Sequence, residues 1–245
     1  MSSVCYNIFI CLLFKNDKHI TTQSSLLSLP TQPSDNVIAM KKLLEFPQVY
    51  QAYQCLGGFF TARLQAFQEY LDFAGIHRVF DIGCGPGHVV KYLPKEVDYV
   101  GFDTDARYIK FANQKFGNYG RFINRPFDRS VADIYGQPDL ILMNGVLHHL
   151  DDPTARIIIE DSAAVLSKYG VFFAIDGCYS PGQSFLSRFL LDQDRGNFVR
   201  TKAEYQSLAA TAFPRVDMYV RDNLSWAPYT FAITKAYKTS TAGSS

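Results

Sequence analysis

The sequence predicts a doubly wound α/β domain. Its sheet has seven strands, mostly parallel, with an antiparallel pair at the carboxyl-terminal end. A helical cap precedes the sheet and a lid insert interrupts it. Short, nearly unbroken apolar runs alternate with segments of helical periodicity, the pattern of strands buried on both faces by flanking helices. The first run opens directly into a glycine cluster, Gly83-Cys84-Gly85-Pro86-Gly87. The last two runs are joined without a helix.

The cap spans residues 41–75. Residues 41–53 and 59–73 read as helices separated by Gly57-Gly58, and Phe60, Leu64, Phe67 and Leu71 form one apolar stripe on the second. The run RVFDIG at 78–83 is the first strand, and 88–94 is a helix that stops at proline. The run DYVGFD at 98–103 is the second strand, 106–116 the second helix, and 121–124 a weaker third strand. The fourth strand is PDLILMNG at 138–145; a helix over 153–166 leads to the fifth, VFFAID, at 171–176. The rhythm then lapses. Residues 177–200 form the insert, with one helix over 183–191 and a loop containing Gly196. After a helix at 202–212, strands at 216–221 and 229–235 are linked only by 222–228 and pair antiparallel.

The chain has 245 residues, 47% apolar and 19% charged, which excludes a disordered or fibrous protein. Lysine plus arginine is 24 against 23 acidic residues, so no global positive field exists to hold nucleic acid. The apolar run at 4–14 is shorter than the roughly 20 residues that span a bilayer, and no basic region precedes it as in a signal peptide. Residues 21–36 have linker composition. Residues 1–40 are therefore read as an extension or linker, 41–238 as the domain, and 239–245 as a tail. A packed edge element, a hydrophobic docking peptide and an artefact of start-site choice are the other readings of the extension. Cysteines at 5, 11, 55, 84 and 178 form no CxxC pair, so no zinc or redox site is expected. A reducing, cytoplasmic location follows from that usage.

The glycine cluster carries the chemistry. Gly83, Gly85 and Gly87 allow positive φ and close approach of a ligand to the backbone. The helix beginning near His88 points its free amides at the same place, which suits an anion or a nucleoside. The glycine spacing is one residue tighter than the dinucleotide pattern, and Asp81 at the strand end repels a pyrophosphate. Both features argue against a nicotinamide oxidoreductase. Asp103 closes the second strand, where folds of this kind bond ribose hydroxyls; a structural use is the other reading. Asp105 reads as the cap of the next helix.

The motifs VFDIGCGPG, YVGFDTD, DLILMNGVLHHLDD and GVFFAIDG, in this order between residues 79 and 177, resemble the class I S-adenosylmethionine-dependent methyltransferases. The resemblance implies S-adenosylmethionine as cofactor. It implies that Asp81 and the turn of Gly83, Cys84, Gly85 and Gly87 hold the methionine part, that Asp103 takes the ribose hydroxyls, and that Thr104 sits beside the adenine. The family commonly places an acid after the third strand, near the adenine amino group. Pro126 stands there in this chain, so Phe127, by packing on the ring, or Asp128, by accepting from the amino group, fills the role. The backbone at Asn144, Gly145 and Val146 is expected to face the sulfonium.

His149, just past the fourth strand, is the candidate general base for a hydroxyl acceptor. The alternative is a histidine that lines the pocket or holds the loop before Asp151. Adjacent side chains diverge, so His148 and His149 are not expected to share a metal; Asp151 or Asp152 could join one of them and Asp176 could fit a metal reading, but no third ligand stands at a convincing spacing and no metal is expected. His88 reads as a surface or helix-end residue. Tyr179, Phe185 and Phe189 of the insert, with Tyr50, Tyr53 and Phe60 of the cap, are read as a lid. Arg188, Arg195 and Arg200 bind an acidic acceptor or pair with Asp192 and Asp194. Trp226 is read as packing.

The absence of an NPPY-type tetrapeptide after the fourth strand, with near-neutral charge, points to a small-molecule acceptor. The expected acceptor atom is an oxygen on a sugar, lipid, quinone or secondary metabolite. A cofactor-binding protein of the same fold without turnover is the competing reading. No nucleic acid partner and no stable membrane span are expected, and the oligomeric state is left open.

Overall fold

The computed structural model describes residues 58–239, apart from residues 193 and 195. The extension over 1–40, the helix over 41–53 with Tyr50 and Tyr53, Cys5, Cys11, Cys55, Arg195 and the tail after 239 lie outside the described residues.

The described chain begins with α1 (Phe59–Tyr70), then β1 (Arg78–Ile82), a 3-10 helix (His88–Tyr92), β2 (Asp98–Asp103) and α2 (Ala106–Phe116). It continues with β3 (Arg121–Asn124), α3 (Val131–Tyr135), β4 (Leu140–Asn144), a 3-10 turn (Leu147–His149), α4 (Asp152–Val165) and β5 (Val171–Tyr179). Then follow α5 (Phe185–Asp192), β6 (Arg200–Thr201), α6 (Lys202–Ala209), β7 (Arg215–Arg221) and β8 (Phe231–Tyr237). The sheet runs β3-β2-β1-β4-β5-β8-β7, and only β8 is antiparallel to its neighbours. This is the predicted architecture.

The strands are apolar on both faces because both faces are covered. In β4, Leu140 and Leu142 face the side of α1 and α2, while Ile141 and Met143 face α4. In β5, Phe173 and Ile175 divide in the same way from Phe172 and Ala174. The two-residue period of the strand thus feeds two separate cores. Helix starts are set by local chemistry. The Asp105 carboxylate accepts from the Arg107 amide at the head of α2, Asp151 from the Thr154 amide at α4, and Thr201 with Glu204 forms a capping box on α6. At the amino edge of the sheet, Asp98 bridges Arg78 and Arg121, at 2.8 and 2.7 Å.

Several local expectations change. The segment after the glycine cluster is a 3-10 helix of five residues rather than an α-helix. Its His88 is not a surface residue: it sits among Phe60, Phe111 and Phe116. Burial, with the nearby cations Lys91, Arg63 and Lys115, lowers its pKa to about 4, so it packs as a neutral ring. The fifth strand runs on to Tyr179, and β6 pairs with its last two residues. The insert therefore leaves the sheet at residue 180 rather than 177. The short helix α3 has no counterpart in the sequence reading. Trp226 does pack: a Cβ on Gly58 would lie 2.7 Å from its ring.

Candidate active site

The turn after β1 is fixed by backbone geometry and by one carboxylate. The amides of Gly83 and Cys84 both donate to the Phe102 carbonyl, at 2.8 and 3.1 Å. The turn then climbs through Gly85 (φ +54°) and Gly87 (φ +77°), a path that only glycine follows without strain. Asp103, at the end of β2, accepts from the Gly85 amide at 2.9 Å and from the Asp105 amide at 2.8 Å. Burial raises its pKa, and these amides oppose the rise. Each carboxylate oxygen keeps a lone pair for a further donor.

Above this turn lies a cleft of about 510 Å³ at the carboxyl ends of the strands. Gly83, Gly85 and Ile82 form part of its wall. On the β2–β3 side it is lined by Phe102, Asp103, Thr104, Asp105, Tyr108, Arg125, Pro126 and Phe127. On the β4 side it is lined by Asn144, Gly145, Val146, His149, Leu150 and Ile158. Asn144 is 8% exposed; its side-chain amide lies close enough to Asp81 to steady that carboxylate, and its amide oxygen is buried without a hydrogen-bond partner. An acceptor left unmet at a cleft wall fits the donor of a polar ligand.

Asp81, Cys84, Gly87 and Asp128 stand off the cleft wall. Asp81 is buried beneath the turn and accepts a 2.8 Å hydrogen bond from the Tyr99 hydroxyl. Burial pushes its pKa up to about 7, against the pull of Tyr99 and Arg63. The Cys84 thiol is turned inward beside Gly101, and its burial holds it protonated. Gly87 gives close packing rather than ligand approach: a Cβ there would lie 2.5 Å from the Phe122 ring. Asp128 is occupied by Ser130 and by Arg125, which it pairs at 2.6 Å. Of the two candidates for the adenine, Phe127 alone reaches the cleft.

The two histidines differ sharply. His149 is exposed and lines the cleft. His148 is buried, and its ring does not diverge from its neighbour's: the centroids are 4.2 Å apart. Its Nδ1 lies 2.7 Å from Asp176 of β5, and its Nε2 3.3 Å from Asp194 of the insert. Only a protonated ring donates to carboxylates from both nitrogens. Burial opposes that charge, but Asp176 and Asp194 outweigh it and raise the pKa to about 9. Asp194 in turn is held well below the ordinary carboxylate range by His148 and Tyr229, despite its burial. Asp176 is thus a partner of His148. Among the described residues no His, Cys, Asp and Glu group could hold a metal ion.

Arg200, 5% exposed, organises the loop after β4. It donates to the carbonyls of Leu147, Leu150 and Phe198 and pairs with Asp152 at 2.7 Å. Its partner is therefore neither Asp192 nor Asp194. Arg188 does face Asp192, at 3.5 Å, and lies over the Tyr179 ring. The sequence reading did not assign Arg200 or His148 these positions, because their partners come from distant parts of the chain.

Fold and cleft define an α/β protein of Rossmann-like type with a cleft at the carboxyl ends of its strands, where such folds bind ligands. A sequence model described as a methyltransferase domain matches residues 80–172. A search of curated protein sequences finds no match. Among solved structures, human N-acetylserotonin methyltransferase in complex with SAM is similar, with TM-score 0.59 and 19% identity over 85% of this chain and 61% of that one. The pyocyanin biosynthetic protein PhzM is similar at TM-score 0.61 and 14% identity, over 81% of this chain and 61% of that one. Mitomycin 7-O-methyltransferase MmcR is similar at 0.58 and 17%, over 78% and 57%. The chain thus spans about three fifths of the length of these structures. These similarities show the fold it shares with them, and the methyltransferase-domain match covers residues 80–172 of it. Among the described residues, no helix is long and apolar enough to cross a membrane.

Proposed function

We propose that this chain transfers a methyl group from S-adenosylmethionine to an oxygen of a small-molecule acceptor, on a sugar, lipid, quinone or secondary metabolite. The observation that carries the reading is the one cleft that brings together the open glycine turn, Asp103 and the unmet amide oxygen of Asn144. A Cβ on Gly85 would stand in open space, so the turn leaves room for a ligand against its backbone. The residues present therefore fit the cofactor. Support for an oxygen acceptor comes from the similar structures, one of which is a 7-O-methyltransferase by name.

The cofactor supplies an activated methyl group on a sulfonium. The protein's part is alignment, exclusion of water and proton management. Asp103 takes the ribose hydroxyls on its remaining lone pairs, with Thr104 beside it. Phe127 packs on the adenine, and Pro126 and Ile158 complete that apolar wall. Asn144, Gly145 and Val146 line the methionine and sulfur region with Gly83 and Gly85. Asp81, Cys84 and Gly87 act from behind by shaping the turn. His149 accepts the hydroxyl proton as methyl transfer proceeds.

Calorimetric titration with S-adenosylhomocysteine tests the cofactor site. Incubation with S-adenosylmethionine and a panel of phenols, sugars and hydroquinones, read by mass spectrometry for a 14 Da gain per methyl group added, about 14 for CH2, tests the transfer. Saturable S-adenosylhomocysteine binding with methylated oxygen products is expected. No heat of binding to the folded chain overturns the reading.

A further inference from the structure

We propose that His148 is a positioning residue: clamped between Asp176 and Asp194, it fixes the insert to the loop that presents His149 to the cleft. This rests on the function proposed above, and it concerns residues outside the cleft wall.

His148 is the crossing point of three chain segments. Its backbone amide donates to Asp176 at 3.2 Å, and its Nδ1 meets the same oxygen at 2.7 Å. Its carbonyl accepts from the Phe198 amide at 2.9 Å. Its Nε2 faces Asp194, which is further held by the Tyr229 hydroxyl at 2.7 Å and the Gly196 amide at 3.0 Å. Gly196 lies so tight against the ring that a Cβ there would clash with Cδ2. The insert is therefore keyed to this side chain by charge, by hydrogen bonds and by shape together.

That contact has a direct consequence for the site. His149 is the next residue, its ring is tilted 41° against that of His148 with centroids 4.2 Å apart, and the two belong to one 3-10 turn. The other side of the turn is held by Arg200 through the Leu147 and Leu150 carbonyls. The turn has its backbone fixed from β5, from β6 and from the insert, and only His149 is presented to the cleft. A neutral ring at 148 offers one N–H to two carboxylates, so one aspartate loses its ring donor and keeps only its backbone or Tyr229 partners. Such a loss is costly where the groups are desolvated. The insert then detaches from the turn, and the His149 ring loses its fixed place.

The groups that face His148 are Asp176 from β5, Asp194 from the insert, His149 from its own turn and Tyr229 from the approach to β8. The Arg63 guanidinium of α1 also approaches Gly145, close to where the His148 ring passes.

The experiment uses the full chain with S-adenosylhomocysteine. Hydrogen exchange is measured across residues 190–199 and 146–150 in the wild type, His148→Gln, Asp194→Asn and the double variant. Nuclear magnetic resonance follows the His149 ring in parallel. Exchange is expected to rise about tenfold or more in both segments of each single variant, roughly the 1.4 kcal/mol that corresponds to a tenfold change in opening. The double variant should add little to either single one. The His149 ring signal should shift, with S-adenosylhomocysteine affinity within about threefold of wild type. If His148→Gln does not fold, Asp194→Asn alone carries the test. Unchanged exchange in 190–199, or an unmoved His149 signal despite increased exchange, overturns the proposal. Loss of S-adenosylhomocysteine binding by the wild type overturns the functional reading instead, and the exchange result stands apart from it.

Discussion

The Gly85 amide donates a 2.9 Å hydrogen bond to the Asp103 carboxylate, which ties the turn after β1 to the end of β2. The same carboxylate accepts from Asp105, so one side chain braces two backbone turns. A ligand that reaches Asp103 meets an acceptor whose position is already set, and binding spends little on ordering it.

Asp103→Ala is therefore expected to weaken S-adenosylhomocysteine binding by roughly 10- to 100-fold, the loss of charged hydrogen bonds worth about 1.5–3 kcal/mol. Isothermal titration calorimetry reads this directly. Affinity equal to wild type removes Asp103 from the ribose role.

Gly85 and Gly87 separate affinity from folding. Gly85→Ala meets no neighbour and carries only the backbone strain of φ +54°, about 1–2 kcal/mol, so it should destabilise less than Gly87→Ala while lowering cofactor affinity. Gly87→Ala drives a Cβ to 2.5 Å from Phe122 and should mainly destabilise the fold, by about 1–3 kcal/mol. Denaturant melts paired with calorimetry on both variants give the comparison; equal effects on both readouts argue against the division.

His149→Ala should leave S-adenosylhomocysteine affinity within about threefold while lowering turnover by roughly 10²- to 10⁴-fold, as for removal of a general base. Rates measured on whichever phenol, sugar or hydroquinone accepts a methyl group decide it. A rate within twofold of wild type, to an estimate of about 0.4 kcal/mol, sinks the base assignment.

Arg200→Ala removes a buried guanidinium from three carbonyls, while its exposed partner Asp152 turns to water, and should cost about 1.5–3 kcal/mol. Arg200→Lys restores the charge without the planar fork and should recover only part of this. Urea unfolding of the three proteins tests the order wild type, lysine, alanine.

Stability should fall with rising pH in two windows. His148 holds its proton to about pH 9 in the folded chain against 6.5 ordinarily, so its contribution is complete below 6.5 and lost as pH passes 9. Asp81, raised by burial from 3.8 to about 7, loses its contribution between those values. Asp194, lowered by its pairing with His148, acts at the acid end, and its contribution disappears as pH falls below 4. Urea melts from pH 5 to 10 should show the upper window flattened in His148→Gln and the middle one in Asp81→Asn. A wild-type profile flat from about 6.5 to 9 contradicts the His148 assignment.

Most of the sheet was legible because its causes are local. Strands β1, β2, β4 and β5 are apolar on both faces, and the turn after β1 needs glycine at positions the sequence displays. The antiparallel end was legible because 222–228 is too short for a crossover. Other features depend on distant partners. The fifth strand runs to Tyr179 because β6 pairs with its end, and nothing in 177–179 announces that. His148 looked like the lesser of two neighbours because its carboxylates come from β5 and the insert. Asp128 is paired with Arg125 and Ser130, partners that the pattern after the third strand does not announce. Side chains whose roles come from long-range pairing leave no periodic trace.

Trp226, the chain's single tryptophan, lies against Gly58 at the start of α1, in the loop between β7 and β8. Its indole emission is therefore a one-site optical probe of how the first described helix seats on the sheet. A red shift and quenching at low urea, before the far-ultraviolet signal of the sheet changes, would mark release of that helix as a separate early step.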